Sequence, residues 1–224
     1  TKLLTHLVGA DKTYEATIRL GATTVTEDAE GELTGTADAG AVAAVTDEQI
    51  RAAVVELTGD LEQVPSAVSA IKVDGKRSYA RVRAGEDVEL KPRPVTVSRF
   101  EVSEIRRQEG SLEVDAVLDV SSGTYIRAIA RDLGEALGIG GHLSALRRTR
   151  VGALGLEQAR ELEALTGIVA GGAAVPSTSL DQAARAMFPA RELTAQQSVE
   201  IGQGKRIGPV SYTHLRAHET GRNL

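Results

Sequence analysis

Between Lys12 and Leu20 apolar and polar residues alternate without a break: Tyr14, Ala16, Ile18 and Leu20 on one side, Thr13, Glu15, Thr17 and Arg19 on the other. A period of two predicts a half-buried strand. It returns in Leu112, Val114, Ala116, Leu118 and Val120. With Val95 to Arg107 before it and a turn at Glu109-Gly110, that run predicts a long antiparallel hairpin, entered through the extended Lys91-Pro92-Arg93-Pro94. Elsewhere the spacing becomes helical. Thr46-Asp47-Glu48-Gln49 is a capping box opening a helix to about Thr58, with Gly59 as its stop. Ile126, Ile129, Ala130, Leu133, Ala136 and Leu137 line one helical face, from a Thr124 cap to a stop at Gly138.

The remaining stretches are weaker. Glu27 to Gly40 is polar and glycine-bearing and predicts a long turn between strands. Asp74-Gly75 is a two-residue hairpin turn between Lys72-Val73 and Lys76-Arg77, with a short helix from Ser78 to Arg83 closed by Gly85. His142 to Leu156 predicts a strand and Glu157 to Leu165 a short helix. Gly167 to Ser179, rich in Gly, Ala, Ser and Pro, predicts a linker. The stretch from Leu180 to about Val210 is too short for an independent domain. The class is α+β: a mostly antiparallel sheet with helices packed on it.

Composition narrows the chemistry. The 224 residues contain no Cys, which excludes disulfides, thiolate metal sites and a cysteine nucleophile. The four His are dispersed and no HExxH spacing occurs, so no metal site is expected. No Walker motif, GxGxxG or GxSxG supports cofactor or nucleotide chemistry. No apolar run approaches the roughly 18 residues of a membrane span, and a cytoplasmic protein is expected. The net charge of −5 argues against nucleic acid until its distribution is read. Glu27 to Glu62 holds ten acids against Arg51 alone, whereas Lys72 to Arg107 and Ser121 to Arg150 are locally basic. One face could meet an anion while another stays acidic; ordinary solvated faces would give the same counts.

Only six residues are aromatic. Tyr14 lies on the apolar side of its strand and reads as a core tyrosine whose hydroxyl finds a partner. Tyr125 stands at a helix start in Ser121-Ser122-Gly123-Thr124-Tyr125-Ile126-Arg127, where free backbone N–H groups favour an anion. Arg127, in the first turn, opposes the helix dipole unless a carboxylate or phosphate pairs with it; it also reads as a surface arginine. His142 follows Gly138-Ile139-Gly140-Gly141, as a turn histidine or a ligand contact.

Three segments, in order, resemble one family. Lys12-Thr13-Tyr14-Glu15-Ala16 with Leu20-Gly21 is similar to the KTY strand of the TruB family of bacterial tRNA pseudouridine synthases. Gln63-Val64-Pro65, Ser69 to Arg77 and Tyr79-Ala80-Arg81 resemble its QxPP and SAxK…GxR segments, with Ser66 where a second proline is usual. Gly123 to Arg127, Asp132-Leu133-Gly134, Gly141-His142-Leu143 and Leu146-Arg147-Arg148 resemble its GTYIR, DLG, GAH and LRR segments. The resemblance implies isomerisation of uridine to pseudouridine at position 55, in the T-arm of tRNA, by base flipping and attack of an Asp, without cofactor or metal. It implies that Tyr14 stacks on the flipped base, Arg127 pairs with the catalytic carboxylate and Tyr125 neighbours it in the pocket. Lys12, Lys72, Lys76, Arg77, Arg81, His142, Arg147 and Arg148 would hold the RNA. The implied partner is the tRNA T-arm stem-loop, with no membrane, and the protein is expected to be a monomer.

The family's nucleophilic Asp lies in a G-x-LDP-x-A-x-G segment before the KTY strand, and nothing like it occurs in these residues. The expectation is a fragment lacking the first quarter of the enzyme, inactive alone, with Arg127 left unpaired. Residues 1–166 would form a partial catalytic domain, 167–179 a linker and 180–210 the start of a C-terminal RNA-binding domain. Residues 211–224, where the style of the sequence changes, are expected to be a non-native tail. A non-catalytic tRNA-binding or tRNA-folding protein of the same fold is the alternative, and an unrelated α+β ligand-binding module a third reading.

Overall fold

The computed structural model describes residues 3–66, 72–73, 76–77, 90–108 and 110–208, the four at 72–73 and 76–77 by their backbone. The predicted helix at 78–83, the turn residues Asp74 and Gly75, Arg81 and the 211–224 tail lie outside the described residues. Contacts divide the chain into two units, Thr1–Met187 and Phe188–Leu224.

The first unit is built on a six-stranded antiparallel sheet. Its strands are β1 (Lys12–Leu20), β4 (Gly59–Gln63), β7 (Arg93–Gln108), β8 (Ser111–Val120), β9 (Gly141–Val151) and β10 (Leu154–Gly155), in the order β10-β9-β1-β8-β7-β4. Small pairs join β2 (Ala22–Thr24) to β3 (Leu33–Thr36), and β5 (Lys72–Val73) to β6 (Lys76–Arg77). The helices are α1 (Leu4–Val8), α2 (Ala39–Ala44), α3 (Asp47–Glu56), α4 (Ile126–Ala136) and α5 (Leu162–Ala170), with α6 (Leu180–Met187) at the unit's end. The second unit holds α7 (Ala195–Gly202), capped by a Thr194–Gln197 box.

Alternation along the strands decides which side is core. Ala16, Ile18 and Leu20 of β1 and Leu112, Val114, Ala116, Leu118 and Val120 of β8 are buried together with Ile126, Ile129 and Leu133 of α4 and Ile50 and Val54 of α3. β1 lies between β8 and β9, with Tyr14 opposite Leu118 on one side and Arg148 on the other. The opposite side of the sheet carries Thr17, Arg106, Glu113, Asp115 and Asp119, tied across strands rather than buried in apolar side chains. Arg106 meets Asp115, Glu104 and Glu113, and Thr17 donates to Asp115 over 2.7 Å.

Several boundaries differ from the sequence pattern, each for a local reason. The polar stretch 27–40 contains β3 and the start of α2, whose N-cap Asp38 accepts from the N–H groups of Gly40 and Ala41. Tyr125, not Thr124, is the N-cap of α4; the Thr124 hydroxyl donates to the Ser121 carbonyl instead. The 142–156 strand is two strands, because the chain turns at Gly152, which adopts φ +54°. The helix expected at 157–165 begins at Leu162 and continues through Gly167 to Ala170. The end of α4 follows expectation, with Gly138 in the left-handed region at φ +70°. Gly134, inside α4, lets the helix lie directly on the start of β9: a Cβ there would come within 2.1 Å of the Gly141 nitrogen.

Candidate active site

Helix α4 presents two arginines one turn apart, Arg127 and Arg131, to the loop that follows β2. The Arg127 guanidinium meets Asp28 at 2.6 Å, and Arg131 meets Glu27 at 2.8 Å. Arg127 is therefore paired, contrary to the expectation that it would be left alone. In the sequence Asp28 stands out only as one acid in an acidic run. Its position follows from a short-range network: one carboxylate oxygen accepts from the Thr26 hydroxyl at 2.5 Å and the Glu30 N–H at 3.1 Å, leaving the other to Arg127. The Thr24 hydroxyl also holds the Asp28 carbonyl. Asp28 is mostly shielded and Arg127 is 37% exposed, so the guanidinium keeps an open side. Asp28 is its sole ion-pair partner among the described residues.

Arg131 is the more enclosed of the two. It also donates to Asp132 and to the Val64 carbonyl, the latter at 2.8 Å. Burial draws its guanidinium down, but Glu27 and Asp132 outweigh that and hold it above its ordinary value. Burial likewise pushes the Asp132 carboxyl above the usual carboxylate range, with Arg131 offsetting only part of the shift. The start of the helix is fixed from another element. Buried Gln63, at the end of β4, accepts from the Tyr125 N–H at 2.8 Å and donates to the Tyr125 carbonyl at 3.1 Å. This two-point bond satisfies the N–H of the N-cap residue itself, while the Tyr125 side chain makes no capping bond.

Tyr14 is half-buried on β1 and packs against the edge of the core. Beside it on β9 stands exposed Arg148, and Arg147 is paired in register with Glu15. Lys12 donates to the carbonyls of Ala10 and Val8. Burial and the neighbouring Arg148 hold its ammonium below the ordinary lysine value. Lys12, Arg148 and Arg150 line a cavity of about 550 Å³ with Leu4, Leu7 and Val8 of α1. The structure thus groups Lys12, Tyr14 and Arg148. His142 is buried, one ring nitrogen 3.0 Å from the Ala22 carbonyl, and is not grouped with them. Lys72, Lys76 and Arg77 belong to the β5–β6 pair, and Arg81 lies outside the described residues. Among the described residues no group of three His, Cys, Asp or Glu could hold a metal ion. No helix among them is long and apolar enough to cross a membrane.

The architecture is one already seen in RNA-associated assemblies. A chain of a Cbf5-Nop10-Gar1 complex superposes with a TM-score of 0.53 at 27% identity, covering 75% of this chain and 39% of that one. A chain of an H/ACA RNP bound to a substrate RNA containing 2'-deoxyuridine gives 0.50 at 25% identity, over 75% and 37%. The TruB family pseudouridylate synthase N-terminal domain matches residues 1–126, and the tRNA pseudouridylate synthase B C-terminal domain matches residues 127–184. The chain belongs to the TruB family. It is 56% identical over 209 residues to the tRNA pseudouridine synthase B of Arthrobacter sp. (strain FB24), covering 92% of this chain and 65% of that protein. The Paenarthrobacter aurescens (strain TC1) protein of the same name is also 56% identical, over 92% and 64%. The chain therefore spans just under two thirds of the length of these curated relatives.

Proposed function

We propose that this chain forms most of the catalytic domain of a tRNA pseudouridine synthase that converts uridine to pseudouridine at position 55, in the T-arm. The observation that supports this most directly is the Arg127–Asp28 pair at the open start of α4. An arginine held on one side by a fixed carboxylate has donors left to orient a second, as a nucleophilic Asp would require. A base in a folded loop must leave its stack to be reached, and the half-buried ring of Tyr14 offers it an aromatic surface beside Arg148. Tyr125 completes the pocket from the helix start. Lys12, Arg147 and Arg148, with Lys72, Lys76, Arg77 and Arg81, hold phosphates; the buried ring of His142 instead joins β9 to the Ala22 carbonyl of β2. The protein works as a monomer and without a cofactor.

The test is to join residues 1–224 behind the family's Leu-Asp-Pro segment and measure pseudouridine formation on a T-arm stem-loop. Arg127→Ala and Tyr14→Leu are each expected to cut turnover by about 10²–10³-fold, the scale of losing one preorganised charge donor. Near-normal isomerisation by either variant removes that residue from the site. A joined protein that binds the stem-loop with a steep salt dependence yet forms no pseudouridine favours the RNA-binding alternative.

A further inference from the structure

Glu27 is the one non-glycine residue with a positive φ among the described residues, at +59°. In an extended chain, neighbouring side chains point to opposite sides. The left-handed turn at Glu27 breaks that rule, so Glu27 and Asp28 send both carboxylates to one face of α4, where Arg131 and Arg127 stand four residues apart. The backbone of Glu27 is pinned as well: its carbonyl accepts from the Leu143 N–H at 3.0 Å and its N–H donates to the Thr24 carbonyl at 3.2 Å. The Glu27 carboxylate is mostly buried, and its second oxygen has no hydrogen-bond partner. A strained backbone and an under-satisfied buried carboxylate are poor devices for stability alone.

We infer that Glu27 and Arg131 form a positioning pair that holds Asp28 on Arg127 and so sets the direction in which the Arg127 guanidinium presents its free donors. Neither residue touches substrate. Arg131 suits this role because it binds three segments at once: Glu27 in the loop, Asp132 on its own helix, and the Val64 carbonyl beyond β4. That last bond ties the loop to the stretch whose Gln63 fixes Tyr125. The inference rests on the proposed role of Arg127 in isomerisation, but its physical content is testable without activity.

The first readout is NMR of the full chain, following rotation of the Arg127 guanidinium about its Nε–Cζ bond. Glu27→Gln and Arg131→Met are each expected to speed that rotation about tenfold, and the double variant no further, as for one coupled unit. Glu27→Asn, which tolerates the left-handed backbone but cannot reach Arg131, is expected to behave like Glu27→Gln. The second readout is turnover of the joined synthase: kcat about tenfold lower in each single variant, KM within about twofold, and partial recovery in Arg131→Lys. Unchanged rotation in Glu27→Gln overturns the inference, as does a wild-type kcat in that variant, or an Asn variant that keeps Arg127 fixed. If the joined wild type forms no pseudouridine, the isomerase reading falls while the rotation measurement still decides the pair.

Discussion

Arginines meet carboxylates in two places in this molecule, and the surroundings are opposite. On the outer side of the sheet, Arg99 and Arg106 of β7 reach Asp119 and Asp115 on β8, and Arg106 also meets Glu104 on its own strand, with the arginine side chains 45% and 34% exposed. At α4 Glu27 comes from a loop 104 residues before Arg131, and Glu27 and its neighbour Asp28 are shielded to 14% and 15% exposure. The outer set follows from strand register, which places opposite charges side by side at little cost and little gain. The inner set must offset the desolvation of its carboxylates with close bonds, from Arg127, Thr26 and the Glu30 N–H on Asp28 and from Arg131 on one oxygen of Glu27. Two ion-pair groups that look alike by distance therefore answer different questions, one about strand register and one about how a loop is held on a helix.

The comparison breaks most visibly in turnover. In the joined synthase, Arg127→Ala is expected to lose about 10²–10³-fold, whereas Arg106→Met keeps wild-type turnover. Comparable losses in both would show that the outer set also serves the reaction. Gln63→Ala comes next: it leaves the part-buried Tyr125 N–H without its partner, while the Tyr125 carbonyl keeps the Ile129 N–H, and is expected to cost about 1–2 kcal/mol of unfolding free energy by urea titration. A loss too small to measure would mean that water replaces the amide at the helix start.

Acid separates the two sets by sign. Arg106 and Thr17 hold Asp115 below the ordinary carboxylate range. Asp119 is also held low, because Thr13, Arg150 and Arg99 outweigh its burial. Their contribution is present above the unfolded value near pH 4 and is lost as the pH falls through the lower folded values. Asp132, raised by burial, acts in the opposite direction: it takes up its proton first in the folded state and gains stability as the pH falls. Urea midpoints followed into acid are expected to fall less steeply in an Asp115→Asn, Asp119→Asn variant and more steeply in Asp132→Asn. Equal slopes in both would remove the distinction. The smallest effect belongs to Arg106→Met at neutral pH, a slight shift of the urea midpoint that about 1 M salt abolishes. A large salt-resistant shift would mean that the outer set is desolvated after all.

The sheet was legible because its strands keep one apolar side over many residues; β1 from Tyr14 and β8 from Leu112 follow the alternation, while Thr13 and Ser111 before them are buried polar residues. The capping box at Thr46 and Gln49 was equally plain, since both partners lie within one turn. The α4 face was legible, its cap was not: the group that satisfies Tyr125 is Gln63, remote in sequence, and no local spacing announces it. Asp28 and Glu27 were hidden for a similar reason. They sit in an acidic stretch where charge counting sees a solvated surface, and their meaning depends on a left-handed turn at a glutamate. The i, i+4 spacing of Arg127 and Arg131, facing an unexplained Glu-Asp step, was the one available signal.

The bond from Gln63 to Tyr125 also divides what the sequence must encode. In a capping box the N–H of the N-cap residue is held by a side chain three residues into the helix, and here it is held from another strand. The Tyr125 side chain makes no capping bond, so position 125 is expected to accept substitutions without unravelling α4. Position 63 has no such freedom, because one change there disturbs the edge of a sheet and the mouth of a site together. In a library of variants position 125 is expected to be the tolerant partner and position 63, sixty-two residues earlier in the chain, the intolerant one.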